Sequence, residues 1–328
     1  MLRRGALRNL KTFLCLAALA LALSPGAIAR AAAVSDDDDD SASPAPVAPT
    51  AKAYAIRLSR PMKVGQRFSG VADATAVNSV SGMISGQARS AMPASVSVHL
   101  DGVVRVLAVN RDGEPTMLQC TVQECYARTG RERKTVVAAG KVITAEAGKW
   151  KTKLTPESGT LTIEEDILLR TVLSLPRLDE VSDDEAYGTG KRVKPGESWA
   201  VKADEVLRSW AAAGYKLKKN NVSGNVRLKS VENVEGVECI RVTGRVKIQH
   251  FLPPALDLPE GVKIDDATVE YKFTKLATAD PAGPVLLDSH SMTVTTVIRN
   301  DATSISPDAR IEGKFLRSVG VKLKPLAE

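Results

Sequence analysis

The 328-residue sequence predicts a mainly β fold of the α+β class, with long twisted antiparallel strands forming a curved sheet or partial barrel in two related halves and one or two short helices. Three observations predict it. The segments 225–234, 237–251, 262–278, 285–299 and 309–323 alternate branched or aromatic residues with polar ones, the period of strands that bury one face. Aromatic residues make up only 4% of the chain, so the core rests on Val, Leu, Ile and Ala, which suits sheets better than a stacking platform for bases or sugars. The third is an internal echo. Met62-Lys-Val-Gly-Gln-Arg-Phe-Ser-Gly-Val-Ala-Asp73 returns as Val193-Lys-Pro-Gly-Glu-Ser-Trp-Ala-Val-Lys-Ala-Asp204, and a β-branched run followed by a cysteine strand comes after each copy, at 103–122 and 226–242.

The N-terminus has the pattern of an export signal. Arg3, Arg4, Arg8 and Lys11 precede the apolar run Phe13–Leu23, which Pro25 and Gly26 break. That run is too short to span a bilayer. Cleavage is expected near residue 29 or residue 33, so 1–33 is the signal peptide and the mature chain has no transmembrane segment. Cys15 opens the apolar run instead of following it, which argues against lipid attachment. Residues 34–52, rich in Asp, Ser, Pro and Ala, bury nothing and form a disordered acidic leader. The first β-rich half is then 53–180 and the second 181–328.

Loss of the signal changes the charge argument. It removes five of the 45 bases and no acid, leaving 40 bases against 38 acids. The bases are scattered, as on a solvated face, so no nucleic-acid partner is expected despite the sequence pI of 9.2.

Order begins with the alternation of Tyr54, Ile56 and Leu58, then a turn flanked by Pro61 and Gly65, then a strand at 68–74. The Ser- and Gly-rich stretch 75–92 has neither helical nor strand period and is expected to be a loop or irregular edge. Asp101-Gly102 between two alternating runs predicts a type I′ hairpin, and Ala147-Gly148 another. Thr162-Ile-Glu-Glu165 is a capping box that opens a helix over 163–175, stopped by Pro176. A second short helix follows Asp204 as its cap and ends at Gly214.

In the repeated motif, Gly65 and Gly196 suit the positive φ of a tight turn, Phe68 and Trp199 anchor a strand in the core, and Asp73 and Asp204 end strands. Turn chemistry accounts for each position, so these six residues are structural. Cys120, Cys125 and Cys239 remain after processing; an odd number fits buried thiols, with a disulfide from Cys239 as the alternative. No metal site is expected, since no CxxC pair or nearby histidine completes a ligand set. His99, His250 and His290 are the only histidines, and each falls in or at the end of a strand. Gly188-Thr-Gly-Lys191 lacks the first glycine of a phosphate loop. The pairs Asp265-Asp266 and Glu164-Glu165 stand in turn or cap contexts. No catalytic residue and no cofactor-binding residue emerge, and no cofactor is expected.

The Lys-x-Gly-Glu-x-aromatic entry at 194–199, followed by Val231-Glu-Asn-Val-Glu-Gly-Val-Glu-Cys239, resembles uncharacterised exported bacterial β-rich proteins over residues 187–300. The resemblance implies an envelope setting, periplasmic or extracellular, and transfers no catalytic residue. The expectation is a non-enzymatic binding protein carrying an apolar or anionic ligand on a curved sheet, with lipid, a cell-envelope polymer or a protein as partner. A hydrolase with an unrecognised carboxylate site and a structural surface component are the alternatives.

Overall fold

A computed structural model describes residues 52–326, apart from 85–86, 91–93, 213–214, 216, 252–261 and 301–309. The export signal, its cleavage sites, the leader up to residue 51 and Gly214 lie outside the described residues. The described chain forms strands β1 (Tyr54–Ala55), β2 (Arg67–Ile84), β3 (Gln87–Ser90), β4 (Ala94–Val109), β5 (Pro115–Thr129), β6 (Glu132–Thr135), β7 (Val142–Glu146) and β8 (Lys153–Pro156). Helices α1 (Ile163–Val172) and α2 (Asp183–Tyr187) follow, then β9 (Arg192–Val193), β10 (Ser198–Ala200) and helix α3 (Ala203–Ala212). The remainder is β11 (Val222–Val234), β12 (Val237–Ile248), β13 (Val262–Thr278), β14 (Val285–Asn300) and β15 (Arg310–Pro325).

One large antiparallel sheet holds all but β1 and β9, which pair with each other. Its order is β10-β11-β12-β13-β14-β15-β2-β4-β5-β7-β8, with β3 on β2 and β6 on β5. The sheet is curved and does not close. The order explains how the halves join. Strands β2 to β8 step outward from the middle to one edge, while β10 to β15 start at the other edge and return to the middle. There β15 lies in register along β2, from Arg310 opposite Met83 to Pro325 opposite Phe68.

Alternation places the apolar side chains on the inner face in two clusters. The first gathers Val98, Leu100, Val106, Leu118, Cys120, Val122 and Ile143, closed by Leu169 and Val172 of α1. The second gathers Val226, Leu228, Ile240, Val242, Val246, Val269 and Phe273, closed by α2 and by Val206 of α3. Each cluster crosses the sequence boundary at 180. Tyr54, Ile56 and Leu58 pack in the second cluster, whereas Val319 and Val321 pack in the first. Truncating a fully buried member such as Ile143 or Leu228 to Ala costs about 2–5 kcal/mol.

Four expectations are corrected. β4 runs straight through Asp101-Gly102, so there is no hairpin at that point. Gly102 answers a different need: a Cβ would lie 2.6 Å from the Thr121 carbonyl oxygen, and the register shifts there, so the glycine permits close approach of β5 at a bulge. The 75–92 stretch is strand up to Ile84 and again from Gln87 to Ser90, because pairing with β15 and β4 supplies order that composition did not announce. The α1 helix ends at Val172, before the expected Leu175. There are three α-helices among the described residues, the unexpected one being α2, which Ser182 and Glu185 open with their own capping box.

Candidate functional site

The two copies of the motif build the same turn. Gly65 has φ +89° and donates its N–H to the Val106 carbonyl at 2.9 Å; Gly196 has φ +91° and donates to the Leu228 carbonyl at 2.7 Å. The Gln66 side chain accepts from Lys63 N–H at 3.0 Å, and the Glu197 side chain accepts from Lys194 N–H at 2.8 Å. Phe68 then lies opposite Val104, and Trp199 opposite Val226. Trp199 also donates its indole N–H to the Tyr187 carbonyl at 2.7 Å, which ties α2 to the strand. The aspartates diverge. Asp73 lies beside His99, its oxygen 2.7 Å from the ring Nδ1, while Asp204 is the second residue of α3 and pairs with Lys219 at 2.5 Å. Asp204 is therefore not the cap; the chain enters the helix at Ala203, and the carboxylate instead sits in the first turn, where the helix dipole favours it.

Cys120, Cys125 and Cys239 are free and buried. Burial pushes the Cys120 and Cys125 thiols up to about 12, so neither is a nucleophile at neutral pH. His250 faces Asp266 at 3.2 Å on the surface, and His290 lies against the Tyr271 ring at 5.9 Å. Glu165 completes the capping box of α1, and Glu164 pairs with Lys134 at 2.7 Å. Of the six motif residues, Asp73 is the one that the structure places beside a histidine, among the described residues.

Charged groups do converge at another place, where the N-terminal segment, the 176–184 linker and strands β13 and β14 meet. They surround a cavity of about 70 Å³ whose lining includes Arg60, Glu114, Glu180, Asp183, Lys275 and Asp288. β13 carries Val269, Tyr271, Phe273, Lys275 and Ala277 on one face, so its alternation delivers a lysine into an apolar row. Asp288 stands directly opposite Lys275 on β14, and its carboxylate lies 3.0 Å from the ammonium. Asp183, the first residue of α2, bonds the same ammonium from above. Next to it, Asp184 accepts the N–H groups of Leu58 at 2.6 Å and Ser59 at 3.1 Å. Burial raises the Asp184 carboxyl, and those two bonds oppose the rise.

Arg60 completes the cluster. Its guanidinium donates to the carbonyls of Arg57 at 2.8 Å and Thr278 at 2.9 Å, and to that of Asp280. Burial lowers it to about 10, still charged at neutral pH. Glu114, raised by burial, accepts from Asn110 at 3.1 Å. The Tyr187 and Tyr271 rings pack at 6.1 Å beside the cluster, and burial pushes both phenols up. Motif searching missed this cluster. Its one readable signal is a Lys and an Asp in the apolar phase of adjacent strands.

Among the described residues no group of three or more His, Cys, Asp or Glu could hold a metal ion, and no helix is long and apolar enough to cross a membrane.

No family model matches the chain, and no curated protein matches it. Among solved structures it is similar to the one titled "Lipid-protein interactions in lipovitellin" at 8% identity and a TM-score of 0.34, over 81% of this chain and 26% of that one. The chain thus spans about a quarter of that chain's length. It is also similar to the outer membrane protein OprG from Pseudomonas aeruginosa, at 6% identity and a TM-score of 0.18, over 80% and 97% of the two chains. OmpT of Vibrio cholerae gives 7%, 0.18, 76% and 97%. Likenesses this slight bear on no function.

Proposed function

We propose that the protein is an exported, non-enzymatic binding protein of the envelope or extracellular space, and that it presents its ligand or partner on the open sheet instead of enclosing it. The charge cluster carries this reading. The Asp183 and Asp288 carboxylates both pair with Lys275, so the buried Lys275 and Asp288 charges act on each other, as in a lock. The cavity beside them, about 70 Å³, has room for a few waters and none for a lipid chain. Ligand contact is left to the solvent-facing side of the sheet, where Ser, Thr, Lys and Arg alternate with the core residues. The apolar segment before Pro25 supports export.

Native mass spectrometry of the protein purified from its own culture medium and envelope extract tests the reading. A polar or anionic adduct that desalting preserves is expected. Ligand-free protein in every fraction, with no retention on envelope polymer or anionic vesicles, would overturn it.

One observation favours a hydrolase as the second reading: Glu114, Glu180, Asp183 and Asp288 line one pocket, and burial raises Glu114. It requires that Glu114→Gln abolish turnover of some glycoside or ester while leaving Tm unchanged.

A further inference from the structure

The two copies of the turn differ at several positions, and at one of them, exposed Arg67 in place of Ser198, the shared turn geometry gives no cause for the difference. In the second copy Ser198 stands opposite Arg227, whose guanidinium folds back and donates to the Gly196 carbonyl at 3.1 Å. In the first copy Arg67 takes the place of Ser198, directly opposite Arg105. Like charges opposed across strands destabilise a sheet. The turn forms equally well with serine, so the fold does not require Arg67.

Both arginines are exposed, and neither has an ion pair or a side-chain hydrogen bond among the described residues. Gln119 follows Arg105 in the same cross-strand row, and Val103 with Thr121 form the neighbouring row. With Gly65 these residues line an open hollow of about 400 Å³ on the outer face.

We propose that Arg67 and Arg105 form an oxyanion site that takes a phosphate group. Two planar guanidinium forks on adjacent strands offer paired N–H donors to one tetrahedral anion and neutralise its two charges, while the Gln119 amide and the Thr121 hydroxyl supply neutral donors at the rim. Phosphate is chosen over a single carboxylate because one negative charge would leave the arginine pair still repelling. The site rests on the binding reading above and names the chemistry of its ligand.

The test is titration of the full exported chain with inorganic phosphate, followed by calorimetry and by Tm, beside chloride at matched ionic strength. Arg67→Ser recreates the pairing of the second copy, so it folds by precedent within the same molecule. Wild type should gain Tm with phosphate beyond the chloride control, and Arg67→Ser and Arg105→Ser should each bind at least about tenfold more weakly. Flotation with phosphatidylglycerol vesicles against phosphatidylcholine vesicles identifies the source. Arginine-dependent flotation assigns a lipid headgroup, and phosphate binding without flotation assigns a soluble phosphate compound. Equal binding by Arg67→Ser and wild type, or equal effects of phosphate and chloride, would sink the site. The binding reading would still stand on its own mass-spectrometric test.

Discussion

Removing Lys275 is the most demanding perturbation of the charge cluster. The Lys275 and Asp288 side chains are each 9% exposed and Asp183 is 35% exposed, so Lys275→Met leaves two carboxylates facing each other with little solvent to screen them. Breaking a buried ionic group by deleting one partner costs about 3–5 kcal/mol. For a domain this size that is a fall in Tm of roughly 6–20 °C. Asp288→Asn keeps the Asp183 contact and should cost about 1–3 kcal/mol. The triple variant Lys275→Met, Asp183→Asn, Asp288→Asn removes the three charges that pair with one another and should return to within about 1 kcal/mol of wild type, since neutral replacement of buried ion pairs is often free of cost. Urea unfolding of all three, read by tryptophan fluorescence and circular dichroism, supplies the energies. A Lys275→Met variant within about 1 kcal/mol of wild type, or a triple variant no better than the single, would refute the reasoning.

Three further outcomes follow from local chemistry. Arg241 and Ser230 hold the Glu232 carboxyl down to about 2; its folded pKa lies below its unfolded one, so its stabilisation is present above about pH 4.5 and is lost as pH falls toward 2. Glu232→Gln should therefore lower Tm at pH 6 and converge with wild type near pH 2. Gly65→Ala and Gly196→Ala force a side chain into the left-handed region and should each cost about 1–2 kcal/mol by strain alone, since no atom lies near enough to clash with the new Cβ at Gly65 and only a flexible arginine tip approaches at Gly196; Asn at either position should cost less in the same urea assay. Cys120 and Cys125 should resist a thiol reagent at pH 8 in the native protein and react at once in denaturant, and native labelling at the denatured rate would show that β5 opens.

Sequence patterns revealed the strands because alternation is a local property that the sheet merely completes. β13 and β14 begin where the alternating runs begin, and α1 begins at its capping box. The failures share one cause. Asp101-Gly102 is a correct local cue for a hairpin, yet the glycine serves the close passage of β5, a partner that no window around residue 102 contains. Glu235-Gly236, with φ of 50° and 85°, is a true two-residue turn, because its flanks Val234 and Val237 pair with each other. Lys275 and Asp288 could have been found as charges in an apolar phase. Arg60 and Glu114 could not, because irregular segments carry them and only the topology brings those together.

That topology places the cluster close to the joint between the halves. Head-to-tail joining of two halves leaves a long seam between β15 and β2, and a slip of one residue there would turn Val319 and Val321 out of the first core. Much of the seam is small, with Ala72, Ala74 and Gly320 along it, so Val319 and Val321 carry most of the apolar selection of register. Asp288 lies opposite Val321, which puts the ion cluster one strand from the seam, and Arg60 reaches the carbonyls of Thr278 and Asp280 at the end of β13. A shift of β14 along β13 would part Asp288 from Lys275, and a slip at the seam would draw Arg60 away from its carbonyls. The cluster should therefore contribute specificity more than stability, and the neutral triple variant separates the two. It should unfold at nearly the wild-type urea concentration yet show doubled or broadened amide resonances in β14, β15 and β2. A single sharp set of resonances in that variant would mean that the apolar seam sets its own register and that the buried charges serve something else.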